Sequence, residues 1–191
     1  MKRVMIVGQP GSGKSTLARM IGDRTGLPVV HVDRIHHLPG WQERPRDEKI
    51  AMAMAEQAKP IWVFEGGLSA TWEHRFSRAD TYIFLDFPLH VRAWRVFWRT
   101  IRHYGRTRPD MQENCPERFN WEFTKWIWDT RHTGRRKPLA LLQRVGPGKT
   151  GHHLRNAAQV RAFLSRLDEA GVTGLEARHD SDHNRTARPQ G

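Results

Sequence analysis

Short apolar runs and longer amphipathic stretches alternate along most of this chain. Residues 3–7, 29–32, 61–64 and 81–85 are apolar runs closed by glycine or an acid, the pattern of strands buried in a parallel sheet. Residues 15–24 carry Leu17, Met20 and Ile21 on one face and stop at Gly26 and Pro28, which predicts a helix. The Ala- and Met-rich stretch 47–59 predicts another. Between them, 34–46 holds Pro39, Gly40 and Pro45 and reads as a loop. From Leu89 to about Tyr104 the pattern is strongly amphipathic. A polar, Arg-rich connection follows, then an aromatic helix near 121–130. Residues 149–154 make a weak fifth strand, and 157–170 a last helix with Val160, Phe163, Leu164 and Leu167 inward. After Gly174 no apolar period remains, so 174–191 is expected to be a disordered tail. The alternation predicts one α/β domain over 1–173, a five-stranded, mostly parallel sheet flanked by helices. No internal repeat is visible.

Composition narrows the partners. Of 191 residues, 32 are Lys or Arg and 20 Asp or Glu, a formal charge of +12. That excess suits nucleotides, phosphorylated metabolites, nucleic acid or a membrane surface. Cys115 is the only cysteine, so no intrachain disulfide can form and a reducing compartment is expected. The apolar run in MKRVMIVG stops at Gly8, too short for a signal peptide, and no stretch reaches the ~20 apolar residues of a membrane span. The expectation is a soluble cytoplasmic protein.

The chemistry begins in GQPGSGKST, residues 8–16, which fits G-x-x-x-x-G-K-[ST]. Glycines let successive N–H groups turn inward on phosphate oxygens, and the helix that follows aims its positive end at the same place. The nucleotide-binding candidates are Gly8, Pro10, Gly11, Ser12, Gly13, Lys14, Ser15 and Thr16, with Thr16 read also as helix surface. Lys14 reaches the β/γ-phosphates and the Ser15 hydroxyl can hold Mg²⁺. ATP and Mg²⁺ are therefore the expected ligands.

A carboxylate is then needed beside the metal. Glu65 ends a strand and precedes Gly66 and Gly67, so it is a candidate metal or acceptor residue. Asp33 ends another strand and is the candidate general base for a hydroxyl acceptor. Asp86 precedes Phe87-Pro88 and a long helix, the place of a helix cap.

Residues 87–109 hold six arginines and no acid. Arg92, Arg95, Arg99, Arg102 and Arg106 fall within an arc of roughly 80° on a helix. Trp94, Phe97, Trp98 and Ile101 fall on another face and are expected to pack. Such a stripe needs anions among its guanidiniums. Phosphoryl transfer, which spreads charge over the moving oxygens, would supply them. Arg99, Arg102, Arg106 and Arg108 are the candidates to close over the phosphoryl group. His31, Asp33, His36 and His37 do not have zinc spacing and read as packing and loop contacts. Trp121, Phe123, Trp126, Ile127 and Trp128 read as core, and Cys115 as structural.

Taken together, the phosphate loop, HVDRIHHLPGW, IWVFEGG, RADTYIFLDFP and RVFWRTIRHYGRTRPDMQENCPERFNWEF resemble the adenylate-kinase-like P-loop proteins known as DNA topology modulation (FlaR-related) proteins, over about residues 3–170. The resemblance implies a P-loop NTPase fold of nucleoside-monophosphate-kinase type with an Arg-rich lid over about 92–119 and an acceptor region over about 33–59. It implies that Glu65 takes the Walker B position and that Arg155 and Asn156 lie near the adenine. Where the family more often has an Asp-Gly-Asn-Tyr-like run, this chain has Glu65-Gly66-Gly67-Leu68. Two functions follow as expectations. One is an ATP-dependent phosphotransferase acting on a small molecule or nucleoside monophosphate, with Asp33, Arg34, Arg44, Gly66, Gly67, Arg75 and Arg78 around the acceptor. The other is a nucleotide-dependent DNA-binding or regulatory protein with weak ATPase activity, its arginine stripe on duplex phosphates.

Overall fold

The computed structural model describes residues 1–169; the tail expected over 174–191 lies outside them. In chain order the elements are β1 (Arg3–Gly8), α1 (Lys14–Thr25), β2 (Val29–His31), α2 (Val32–His36), β3 (His37–Leu38), β4 (Gln42–Glu43), α3 (Arg46–Ala58), β5 (Trp62–Glu65), α4 (Trp72–Arg78), β6 (Thr81–Leu85), α5 (Leu89–Arg102), α6 (Trp121–Asp129), α7 (Arg136–Gln143) and β7 (Thr150–Leu154). A last helix, α8, starts at 157 and reaches at least 169.

β2-β5-β1-β6-β7 form one sheet, parallel throughout. Successive side chains on its central strands point to opposite faces, so each strand feeds two cores. Val4, Ile6, Val63, Ile83 and Leu85 pack with Leu17 and Ile21 of α1 and Phe163 and Leu164 of α8. Met5, Val7, Trp62, Phe64, Tyr82 and Phe84 pack on the other side with Val32, Ala53, Phe76 and Leu141. Both faces are covered by helices, and the strands read as unbroken apolar runs for that reason. β7 is an edge strand with a half-exposed pattern, which accounts for its weak signal. No described helix is long and apolar enough to cross a membrane.

The expected five-stranded parallel sheet with flanking helices is the architecture found. Residues 34–46, expected to be a loop, are more ordered than that. Asp33 lies in the first turn of α2, and β3 and β4 pair antiparallel across a tight turn in which Trp41 takes φ 63°. Helices α4 and α7 had no counterpart in the sequence pattern.

The largest correction concerns α5. Its buried residues are Arg92 and Val96, with Arg92 only 2% exposed. Trp94 (61%), Phe97, Trp98 (49%) and Ile101 face solvent, where Trp94, Phe97 and Trp98 contact one another. The helical period separates two faces without saying which turns inward. Here the inner neighbours are main-chain carbonyls of the phosphate loop, and guanidiniums can satisfy them where indoles cannot. The aromatic helix α6 departs similarly: Ile127 is buried, while Trp121, Trp126 and Trp128 are exposed.

Candidate active site

In a parallel α/β sheet, ligands bind off the carboxyl ends of the strands. β1 ends there at Gly8, β5 at Glu65 and β6 just before Asp86. The phosphate loop spans β1 and α1. Ser12 N–H donates to Gln9 O at 3.2 Å, and Gly11 and Gly13 take φ of 76° and 94°. A Cβ on Gly11 would stand 2.4 Å from the carbonyl oxygen of Arg92, so only glycine lets α5 lie this close. The Lys14 ammonium donates to Gln9 O at 3.3 Å, and the Ser12 hydroxyl oxygen is buried with no partner. Ser15 occupies the first turn of α1, and Thr16 is exposed. The loop fits a polyphosphate: it offers glycine-lined N–H groups, a helix start and an ammonium whose one hydrogen-bond partner among the described residues is a carbonyl. For Mg²⁺ the fit is a hydroxyl on Ser15 with carboxylates nearby, the sparse donor set this ion accepts alongside phosphates. No cluster of three His, Cys, Asp or Glu able to hold a metal occurs among the described residues.

Neighbouring segments fasten this loop. Arg92 donates to Phe87 O (3.1 Å) and Pro10 O (3.3 Å), and Arg95 donates to Ser12 O (3.2 Å) while lying over the Phe87 ring. Gln9 Nε2 donates to Thr130 O at 2.7 Å. Asp86 is not a helix cap: α5 has no side-chain cap, and the Asp86 carboxylate accepts both arms of the Arg135 fork (2.7 and 2.6 Å) and pairs with His153 Nε2 (2.9 Å). Burial works to raise its pKa, but the hydrogen bonds from Arg135 and His153 outweigh this and hold it below the usual carboxylate range.

The acidic side of the cleft is built by register. His31 and Glu65 are paired positions on β2 and β5, so neighbouring side chains leave the sheet together, and His31 Nδ1 lies 2.8 Å from Glu65 Oε1. Glu65 is buried. Asp33 is solvent-accessible in the first turn of α2. Desolvation, then the Glu65 charge, pushes its pKa up; Lys14 and Arg108 act against this. Burial pushes Lys14 down, opposed by Glu65 and Asp33. Lys14, Asp33 and Glu65 are thus within electrostatic reach of one another.

The end of α5 and the connection after it, the segment expected to form a lid, carry cations. Arg99 Nε lies 3.1 Å and Arg108 Nε 2.6 Å from the same oxygen of Glu117, and Arg108 also donates to Asp110 at 2.7 Å. The stripe thus carries its own anions, just beyond the acid-free stretch. Arg102 and Arg106 are exposed and have no ion-pair or hydrogen-bond partner for their side chains among the described residues. The structure brings Arg99 and Arg108 to the cleft, and not these two.

The acceptor-region arginines are engaged by main chain. Arg34 donates to Pro109 O in the lid (2.5 Å) and Arg44 to Ile35 O (3.0 Å). Arg75 is fully buried over the Phe64 ring, donating to Gly66 O and Gly67 O, and burial lowers its pKa to about 9. It shapes the Gly66–Gly67 turn from beneath. Arg78 donates to Gln57 O and Ala58 O, at the end of α3 that leads into the start of β5, the far edge of the sheet. Arg155 and Asn156 follow β7 on the cleft edge, where Asn156 Oδ1 accepts from Gln159 N–H and caps α8. Sequence reasoning missed the pairing of His31 with Glu65, the roles of Arg92 and Arg95, and the acids Asp110 and Glu117. Only the last pair left a usable signal: they belong to the three acids, Asp110, Glu113 and Glu117, that follow six arginines.

A loop of this kind on this sheet, with arginines of α5 and of the connection after it alongside, is that of a P-loop nucleotide-binding protein. The comparisons agree. Residues 4–65 match the family model "ATPase family associated with various cellular activities (AAA)". A cytidylate kinase of Pyrobaculum aerophilum is 34% identical over 130 residues, covering 60% of this chain and 67% of the relative. A cytidylate kinase of Pyrobaculum islandicum is 30% identical over 124 residues, covering 58% and 67%. Among solved structures, shikimate kinase from Acinetobacter baumannii, in complex with shikimate, superposes with a TM-score of 0.53 at 13% identity, covering 91% of this chain and 94% of that one; this shows the fold. The chain belongs to the family of P-loop kinases, ATP-dependent phosphotransferases, that these cytidylate kinases represent.

Proposed function

We propose that this protein transfers the γ-phosphoryl group of ATP to a hydroxyl of a small acceptor bound between α2 and the lid, with Asp33 as general base. The observation that carries this is the setting of Asp33. It stands accessible in the first turn of α2, under the electrostatic influence of Lys14 and Glu65, while Arg75 is buried beneath the Gly66–Gly67 turn and Arg78 is held at the end of α3. A phosphate-bearing acceptor needs free cations; a hydroxyl acceptor needs a base.

In this reading the loop N–H groups from Gly8 to Ser15, with Lys14, hold the β- and γ-phosphates, and Arg155 and Asn156 flank the adenine. Mg²⁺, held by Ser15 and through water by Glu65, would neutralise phosphate charge. His31 keeps the Glu65 carboxylate oriented. The acceptor oxygen forms the new bond to the γ-phosphorus while the bond to the β–γ bridging oxygen breaks. The acceptor proton passes to Asp33, and ADP leaves. Lys14, Arg99 and Arg108 balance the charge gathering on the transferred oxygens. Gly66 and Gly67 leave room for the acceptor to approach the main chain.

A second acceptor class is favoured by one observation, the identity to cytidylate kinases: a nucleoside monophosphate, whose phosphate oxygen is already ionised and needs no base. Membership of the FlaR-related group belongs to the same reading of the sequence. Its DNA-binding variant is disfavoured, because Arg92 is buried against the phosphate loop and half-buried Arg95 donates to the same loop.

The test is ADP release across nucleosides, nucleoside monophosphates and hydroxylated metabolites, with Lys14→Ala as control and Asp33→Asn alongside. For a hydroxyl acceptor, D33N is expected to lower kcat by roughly 10²–10⁴-fold. A monophosphate hit that D33N leaves untouched would replace the hydroxyl reading. Salt-sensitive duplex DNA binding, with no acceptor raising turnover, would replace both.

A further inference from the structure

Glu117 is an acid in the lid's interior that the transfer chemistry does not require. It is 5% exposed. Its main chain is clamped to the base of the lid, with Gly105 N–H donating to Glu117 O (2.9 Å) and Glu117 N–H to Arg106 O (3.0 Å). One oxygen of its carboxylate lies 3.1 Å from Nε of Arg99 on α5 and 2.6 Å from Nε of Arg108 in the connection that follows, as ion pairs without hydrogen-bond geometry. Two guanidiniums this near repel, and the charge on Arg108 is, after burial, the largest influence lowering the pKa of Arg99. Glu117 offsets that repulsion. It does so through charge from the Nε side, and neither terminal nitrogen of Arg99 has a hydrogen-bond or ion-pair partner among the described residues. On Arg108, Asp110 takes one terminal nitrogen; Asp110 is itself buried and 3.7 Å from Arg19.

We infer that Glu117 is a positioning residue. It holds Arg99 and Arg108 together as a preformed pair, with terminal N–H groups left for the oxygens of the transferred phosphoryl group. Electrostatic stabilisation is most effective when the donors are already in place, since none of the reaction's driving force goes into gathering them. Two like charges on separate elements are not gathered without a shared anion. The inference rests on the kinase reading above, but its test does not depend on knowing the acceptor.

The experiment compares wild type, Glu117→Gln, Arg99→Ala/Arg108→Ala and the triple variant. The readout is affinity by calorimetry for ADP alone and for ADP with aluminium fluoride and Mg²⁺, a mimic of the phosphoryl group in flight. Wild type is expected to bind the fluoride complex more tightly than ADP. E117Q should leave ADP affinity within about twofold and lose roughly 10–100-fold of the increment. In the R99A/R108A background, E117Q should change nothing further, because Glu117 acts only through those arginines. Glu117→Asp should restore part of the increment. An E117Q protein that keeps the full increment overturns the inference, and so does an equal loss with and without the arginines, which would mark Glu117 as merely structural. Where an acceptor is known, the same variant should lower kcat with KM for ATP nearly unchanged. If the kinase reading itself fails, wild type shows no fluoride increment at all, an outcome distinct from any effect of Glu117.

Discussion

Asp33 carries the sharpest consequences at the scale of single residues. Its pKa is raised by desolvation and by Glu65, so a base at this position works only above a pH higher than the ordinary carboxylate range. Lys14 is lowered by burial and loses its charge earlier than a free lysine as pH climbs. The expected kcat/KM profile is a bell, narrower than free Asp and Lys would give, and D33N should remove its acidic limb. The same shift bears on stability. The folded chain holds the Asp33 proton more tightly than the unfolded chain does, so Asp33 is harmless at low pH and increasingly costly as pH rises through its raised pKa. D33N should therefore raise Tm at pH 8 more than at pH 4, and an equal gain at both would contradict the cause given. Gly11 is the other exacting position. Gly11→Ala forces a Cβ against the Arg92 carbonyl at φ 76°, and should cost roughly 1–3 kcal/mol and weaken ATP binding measured by calorimetry.

Among the elements, α5 shows best what a sequence does and does not disclose. Its two faces, basic and aromatic, were legible from spacing alone. Their orientation was not, because it depends on what the neighbouring loop presents: carbonyls of Pro10, Ser12 and Phe87. Chemical denaturation should reveal the inversion. Arg92→Met strands two carbonyls and is expected to cost ~2–4 kcal/mol. Trp98→Ser, on the face that ordinary patterning would bury, should stay within about 0.5 kcal/mol. The phosphate loop was readable to the residue, because its spacing is local and its chemistry needs consecutive N–H groups. The His31–Glu65 contact and the triangle of Asp86, Arg135 and His153 were not, since both arise from sheet register between strands distant in sequence. Asp86 shows the limit well: a capping position in the linear pattern becomes a buried anion once β7 is laid beside β6. Helix α4 escaped notice because it is short and its inner face is built around Arg75, a residue that apolar periodicity does not count.

Across the molecule, two cores, one on each face, support the sheet while two arms, the α2–β4 region and the connection after α5, reach over its carboxyl edge. Those arms are tied to each other. Arg34 donates to Pro109 O, the Trp41 indole to Pro116 O at 3.0 Å, Trp41 N–H to Cys115 Sγ at 3.3 Å, and the Cys115 thiol to Leu38 O at 3.7 Å. Cys115 is wholly buried in that seam. Its lone thiol is therefore a clock. A thiol reagent can reach it only in the instants when the two arms part, so the labelling rate multiplies the intrinsic thiol rate by the fraction of time spent apart. Labelling should run at least about a hundredfold slower than in urea-unfolded chain, and Trp41→Ala should speed it. Labelling as fast as in the unfolded chain would mean the arms part freely. Timed this way with and without ATP, a single sulfur would report how often the enzyme opens to exchange what it holds.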